Sequence, residues 1–284
     1  MAVRRLGYAH PEGASARSIG FLLVGALSLL VVCAQGCGRR GTSERASPNS
    51  ADTSRGSVGS QNPADTQHPC PPQPAGPQVG RSDPLLNAAT PKLGEWSAMW
   101  AQALPGFAPD SLWRLSGGRW SPTDVRSFEP VKPGPDVDPG DYLASELLGI
   151  RSPNGRYTLD VDYYQVVEPM GDSIEVGGDP DSRCSLIDER KHVEAILLQT
   201  GSMAGYHWGA WLSNNSFAVG GWTEADDYGQ WMQGQLWLYS LSDSTVSTYG
   251  TRIISAEVYA RYEASWHGWL LKRYRAWKRS RSPA

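Results

Sequence analysis

The sequence is poor in cysteine, phenylalanine, methionine and histidine, and it carries little net charge. Four Cys in 284 residues exclude a small scaffold held together by dense disulfides. With 26 Lys and Arg against 29 Asp and Glu, a net charge of −3, the chain lacks the basic excess of a bulk nucleic-acid binder. No nucleic-acid partner is therefore expected. A bilayer-spanning segment is missing as well: the apolar run Ile19–Val32 is shorter than the ~20 residues a membrane helix needs. There is no G-x-S-x-G nucleophile elbow and no Cys/His spacing suited to zinc. Asp136, Asp138 and Asp141 sit close together, as hard cations prefer. A helix–loop–helix calcium loop would also need a ligand at Gly140, a Gly at Asp141 and a Glu at Leu147. Asp172, Glu175, Asp179 and Asp181 make a second acidic stretch of the same indefinite kind. No catalytic residue, metal ligand or cofactor is assigned from the sequence.

What is present is distributed unevenly. Arg4, Arg5 and Arg17 precede the apolar run, and small residues follow it. A basic leader, a short hydrophobic stretch and a small-residue end have the layout of a secretory signal, placed at 1–36. The run closes on Ala34-Gln35-Gly36-Cys37, which resembles the lipobox of bacterial lipoproteins. That resemblance implies cleavage before Cys37, diacylglyceration of its thiol and often acylation of the new amino group. Ala34 and Gln35 depart from the commonest residues of that motif, while Gly36 fits it. Two or more acyl chains anchor stably, whereas one holds only marginally. The expectation is an exported protein of the cell envelope, attached to a membrane through lipid on Cys37; ordinary secretion with cleavage nearby is the alternative.

Residues 37–83 hold 20 Ser, Pro or Gly and, among Val, Ile, Leu, Met and aromatic residues, only Val58 and Val79. Such a stretch buries too little apolar surface to offset the entropy of ordering it, and it reads as a disordered tether. From Pro84 onward the character changes, because all 12 Trp lie there. The body, 84–251, is expected to be mainly β. A short helix over Leu93–Leu104 opens it, with Leu93, Trp96, Trp100 and Leu104 at helical spacing. Leu112–Trp120 reads as a hairpin turning at Ser116-Gly117-Gly118, and Pro130–Gly140 as a loop. Gly149–Val161 reads as strand, Asn-Gly turn, strand, and 209–219 repeats the design sixty residues later. Each is followed by another hairpin, at 184–198 and 236–249. Two four-stranded antiparallel units follow, arranged as a sandwich or a partial propeller. The tail, 252–284, is expected to be an amphipathic basic helix with a stripe of Tyr259, Tyr262, Trp266, Trp269, Leu270 and Trp277.

Ser152-Pro153-Asn154-Gly155-Arg156-Tyr157, followed by a strand hairpin, resembles a blade of TolB-type or WD40-like β-propellers. The resemblance is confined to 149–249 and implies a binding scaffold without inherent chemistry. Trp208, Trp211, Trp222 and Trp231 bracket the loop 223–230, either lining a glycan or ligand surface or filling the core of a β fold. Charge splits along the chain: over 84–251, 10 Lys and Arg face 22 Asp and Glu, a net −12. From Arg252 on, 8 face 2, a net +6. The basic tail either docks on the acidic body, meets anionic lipid, or engages an acidic partner. Among the histidines of the body, His192 reads as strand, His267 lies on the helix, and His207 is the best-placed base. Cys70 and Cys184 are the thiols left for a disulfide in an oxidising envelope. The function expected is a membrane-anchored, non-enzymatic binding or structural module whose partner is an envelope protein or glycan. The rival is an envelope hydrolase of glycan or peptide, using acidic residues among 136–146 or 172–181.

Overall fold

A computed structural model describes residues 68–75, 78–79, 83–129, 139–161, 165–178 and 181–281. Cys37, Asp136, Asp138 and Asp179 lie outside them. The fold is mainly β with antiparallel sheets, short helices near the start of the body and one long C-terminal helix. Helices α1 (Pro84–Ala89) and α2 (Gly94–Ala103) come first, then strands β1 (Trp113–Arg119) and β2 (Asp124–Ser127), then α3 (Pro139–Leu148). The remaining strands are β3 (Gly149–Arg151), β4 (Tyr157–Asp160), β5 (Gln165–Met170), β6 (Ser173–Gly178), β7 (Ser182–Asp188), β8 (Val193–Thr200), β9 (Ala204–Trp211), β10 (Ser216–Glu224), β11 (Trp231–Ser240) and β12 (Thr245–Ser255). Helix α4 (Ala256–Arg281) ends the described chain.

The two sheets share one design. Sheet A runs β1-β12-β11-β10-β9 and sheet B runs β2-β8-β7-β4-β3, while β5 and β6 pair as a separate hairpin. Each is a four-stranded meander, from one copy of the sixty-residue repeat, closed on its outer edge by an N-terminal strand. The sheets have five strands rather than four because β1 and β2 are recruited to β12 and β8. The hairpin expected at 112–120 is instead the single strand β1. Ser116-Gly117-Gly118 continues along β12, with a register shift between Arg114 and Ser116, so these residues extend the strand instead of turning it.

Two helix–strand junctions have no linker. Pro139 starts α3 where a loop was expected; proline is favoured in a first helical turn, whose N–H groups lack intrahelical partners. At the other end a Cβ on Gly149 would stand 2.6 Å from the Ser145 carbonyl oxygen, so only glycine lets helix pass directly into strand. Likewise β12 runs straight into α4, and the Ser255 hydroxyl accepts from the Val258 N–H at 3.4 Å, capping the helix start.

One face of sheet A is a bed for helices. A Cβ on Gly220 would collide with Trp96, and one on Gly234 with Trp100, so two glycines make hollows for two tryptophans of α2. Helix α4 then packs on α2: Tyr262 stacks on Trp100 at 4.2 Å, and Trp269 Nε1 donates to Glu95 at 3.0 Å. Trp266 Nε1 donates to the His207 carbonyl at 2.9 Å and its ring stacks on the imidazole at 4.2 Å. The opposite face of sheet A meets sheet B. A Cβ on Gly209 would stand 2.7 Å from Leu159, Trp211 donates to the Ile150 carbonyl at 2.8 Å, and Tyr239 lies beside Cys184.

The tail therefore docks on the acidic body, through the stripe its spacing marks out. Part of the expected tether is also laid on the body. The Ile253 N–H donates to Gln73 Oε1 at 2.8 Å, the His68 N–H to Gln230 Oε1 at 2.9 Å, and Tyr228 stacks on His68 at 3.5 Å. No disulfide joins Cys70 to Cys184: the first is exposed, the second buried in β7.

Substituting Gly234→Ala should destabilise the fold by about 1–3 kcal/mol, the usual cost of overpacking, read as a lower urea midpoint. Gly118→Ala in β1, where a Cβ meets nothing within 4 Å, should stay within about 0.5 kcal/mol.

Candidate functional site

The four tryptophans singled out as a possible ligand surface do not share an exposed face. Trp208 and Trp211 are buried in β9. Trp222 is half-buried with its ring 5.0 Å from Tyr259, and Trp231 donates Nε1 to the His68 carbonyl at 3.1 Å. Two of them close the core; the others wall the seats of α4 and of the 68–75 segment. Burial thus takes the first pair out of reach of a stacking sugar ring, and the reason is the fold: β9 lies between α4 and sheet B. The same strand carries His207 at a register shift opposite Gly220 and Gly221, which turns it toward α4. Burial, with His267 adding repulsion, pulls its pKa down to about 3, so the imidazole is neutral at ordinary pH. His192 occupies the turn between β7 and β8 with a φ of 53°, not a strand.

Sheet B holds a buried ionic cluster that sequence reading did not find. Glu194 on β8 accepts from Arg126 Nε at 2.7 Å and from Arg183 at 3.0 Å. Burial raises the Glu194 pKa, but the Arg126 hydrogen bond and the Arg183 charge outweigh this and leave it below the usual carboxylate range. Asp160 on β4 is the counterpart: burial and the nearby Glu194 charge push it up to about 7, against the pull of Arg183. The discoverable signal was a cation and an anion set inside otherwise apolar strands of one hairpin. Breaking a buried pair leaves an uncompensated charge, so such a cluster fixes the pairing of β2, β7 and β8.

The accessible chemistry collects at the far end of α4. The turn between β5 and β6, Gly171-Asp172, reaches this helix. Tyr274 Oη donates to the Gly171 carbonyl at 3.0 Å and Lys278 Nζ to the same oxygen at 2.9 Å. Lys278 Nζ pairs with Asp172 Oδ1 at 2.7 Å and Arg275 Nε donates to the Asp172 carbonyl at 3.1 Å. The Lys278 hydrogen bond holds the Asp172 pKa down, and that bond raises the pKa of Lys278. On the other side Arg281 pairs with Glu146 of α3 at 2.7 Å. A cavity of about 310 Å³ opens here, lined by Asp172, Arg275, Lys278 and Arg279. Lys278 is paired with Asp172 there, which leaves Arg275 and Arg279 as the cations in excess. No family model, curated protein or solved structure matches this chain.

Asp172 and Glu146 were candidate acids of the hydrolase alternative, and both instead clasp α4. Glu175 is exposed on β6, opposite Glu168, and the stretch that holds Asp172 and Glu175 is a hairpin, not an acidic loop. The side chain of Asp141 lies outside the described placement. Among the described residues no group of three or more His, Cys, Asp or Glu is placed to hold a metal ion. No described helix is long and apolar enough to cross a membrane. The sequence marks the tail as basic but cannot bring Asp172 to it, because that meeting spans a hundred residues.

Asp160 and His207 give opposite pH dependences. The folded state holds the Asp160 proton more tightly than the unfolded chain does, so its share of stability is lost as pH rises from about 4 to about 7. The folded state resists protonating His207, so that share is lost as pH falls from 6.5 to about 3. In the native protein the two slopes oppose each other where the windows overlap. Asp160→Asn should give a protein whose urea midpoint rises with pH between 4.5 and 6.5, and His207→Phe one whose midpoint falls over that range. Identical pH profiles for both variants and the parent would refute the assignment.

Proposed function

We propose that this chain is an exported envelope lipoprotein, anchored to a membrane through acylated Cys37, whose body is a non-enzymatic binding module for an anionic group. The observation that carries the binding reading is the cavity formed by Arg275, Lys278 and Arg279 around Asp172. Arg279 and Arg275 are exposed there, and guanidinium groups suit phosphate and carboxylate because their donors form a planar fork. The anchoring reading draws on the apolar run and on Gly36-Cys37. It is in keeping with the 68–75 segment lying against β11 and β12, which fixes where the tether leaves the body. The two like meanders supply a rigid support, in line with a blade-type binding scaffold. The envelope-hydrolase reading has one support, the raised pKa of Asp160 beside Glu194. A general acid tuned toward neutrality is a mark of active sites, though ion-pair networks produce it too, and here both arginines of that network hold Glu194.

Two measurements test the reading. Cys37→Ser should move the protein from the membrane to the soluble fraction; unchanged fractionation would overturn the anchor. Calorimetric titration of the mature chain with inorganic phosphate should show saturable, salt-sensitive binding that Arg275→Gln/Arg279→Gln abolishes. No binding at low ionic strength would refute the anion site.

A further inference from the structure

We propose that the anionic group is the headgroup of an acidic phospholipid, so that the end of α4 and the β5–β6 turn form a membrane-docking surface. This rests on the anion-site reading and names its occupant. Three observations lead to it. First, the outer side of α4 is a basic stripe. Arg261, Lys272, Arg275 and Arg279 are all exposed, and the last three repeat at three- and four-residue spacing, which puts them on one face of a helix. That face is opposite the buried Tyr262, Trp266 and Trp269, so the cations cannot turn inward without unseating the helix.

Second, the basic surface carries an apolar tip. Met170 is 59% exposed. It sits at the end of β5, next to Gly171 and Asp172, which Tyr274, Arg275 and Lys278 hold against α4. The turn is therefore fixed beside the cations and presents Met170 outward. An unbranched apolar side chain flanked by arginine and lysine suits the boundary between headgroups and acyl chains.

Third, the charge arrangement points the chain. The rest of the body is acidic, with a net −12 over 84–251, and an anionic surface repels it. The basic end of α4 is the part such a surface attracts, so the two together select one orientation. Long-range attraction of this kind falls off within a Debye length, and each cation near an anionic surface strengthens binding roughly fivefold.

The test uses the mature chain carrying Cys37→Ser, so that no acyl chain contributes. Sedimentation with vesicles of phosphatidylglycerol and phosphatidylethanolamine should show binding at low salt, loss of it at high salt, and none to phosphatidylcholine vesicles. Arg275→Gln/Arg279→Gln should weaken binding roughly 25-fold with little change in melting temperature, since both side chains are exposed and Tyr274 and Lys278 still hold the turn. Met170→Ser should weaken it without changing its salt dependence. Failure to bind the acidic vesicles, or equal binding by the arginine double variant, overturns the proposal. Calorimetric binding of inorganic phosphate without vesicle binding would overturn the lipid assignment while leaving the anion site standing. Loss of both would refute the site itself.

Discussion

Much of this structure follows from hollows in sheet A. Gly205, Gly220 and Gly234 leave its outer face without side chains at the positions where Trp222, Trp96 and Trp100 lie. Trp222 of β10 fills the first hollow from within the sheet, while the other two take their bulk from another layer. Helix α2 brings two tryptophans, and α4 closes over them with Tyr262, Trp266 and Trp269. This interlock of large rings and missing side chains is directional. It fixes where each helix lies and at what height, whereas leucine against leucine would tolerate sliding.

The electrostatics are secondary to that packing but follow its geometry. Once the aromatic stripe seats α4, its last turns pass over α3 and the β5–β6 turn, where Glu146 and Asp172 meet Arg281 and Lys278. Exposed pairs of this kind stabilise little. Their effect is to hold the turn and the helix end together as one surface, which leaves Arg275 and Arg279 facing outward. The buried pair on sheet B has a different role. Arg183 and Glu194 sit buried on adjacent strands β7 and β8, and slipping one against the other by a residue would leave a buried charge unpaired; the exposed Arg126 on β2 adds a second cation to Glu194.

The sequence showed whatever was local and periodic. The stripe of α4 and the helix from Gly94 were readable because Trp and Tyr recur at helical spacing, and the four hairpins of the repeat because polar turn residues separate alternating strands. Non-local features were not readable. Ser116-Gly117-Gly118 looks like a turn until β12 pairs with it. Pro139 looks like a loop residue until it is seen to start a helix. The tryptophans of β9 looked available because nothing in their spacing says which layer will cover them. The seat of His207 depends on a register shift against β10, and no pattern within β9 announces it. The meeting of Asp172 with Lys278 requires both the hairpin and the docked helix.

The closure of each sheet has a temporal side. Strand β1 finds its place only against β12, and β2 only against β8. In a chain made from its amino end, the earliest strands must therefore wait for much later ones, and sheet A cannot be completed until β12 has been synthesised. Contacts so distant in sequence also form slowly. The order of manufacture thus leaves β1 without a partner after sheet B already has all its strands, so the two sheets become completable at different moments of synthesis.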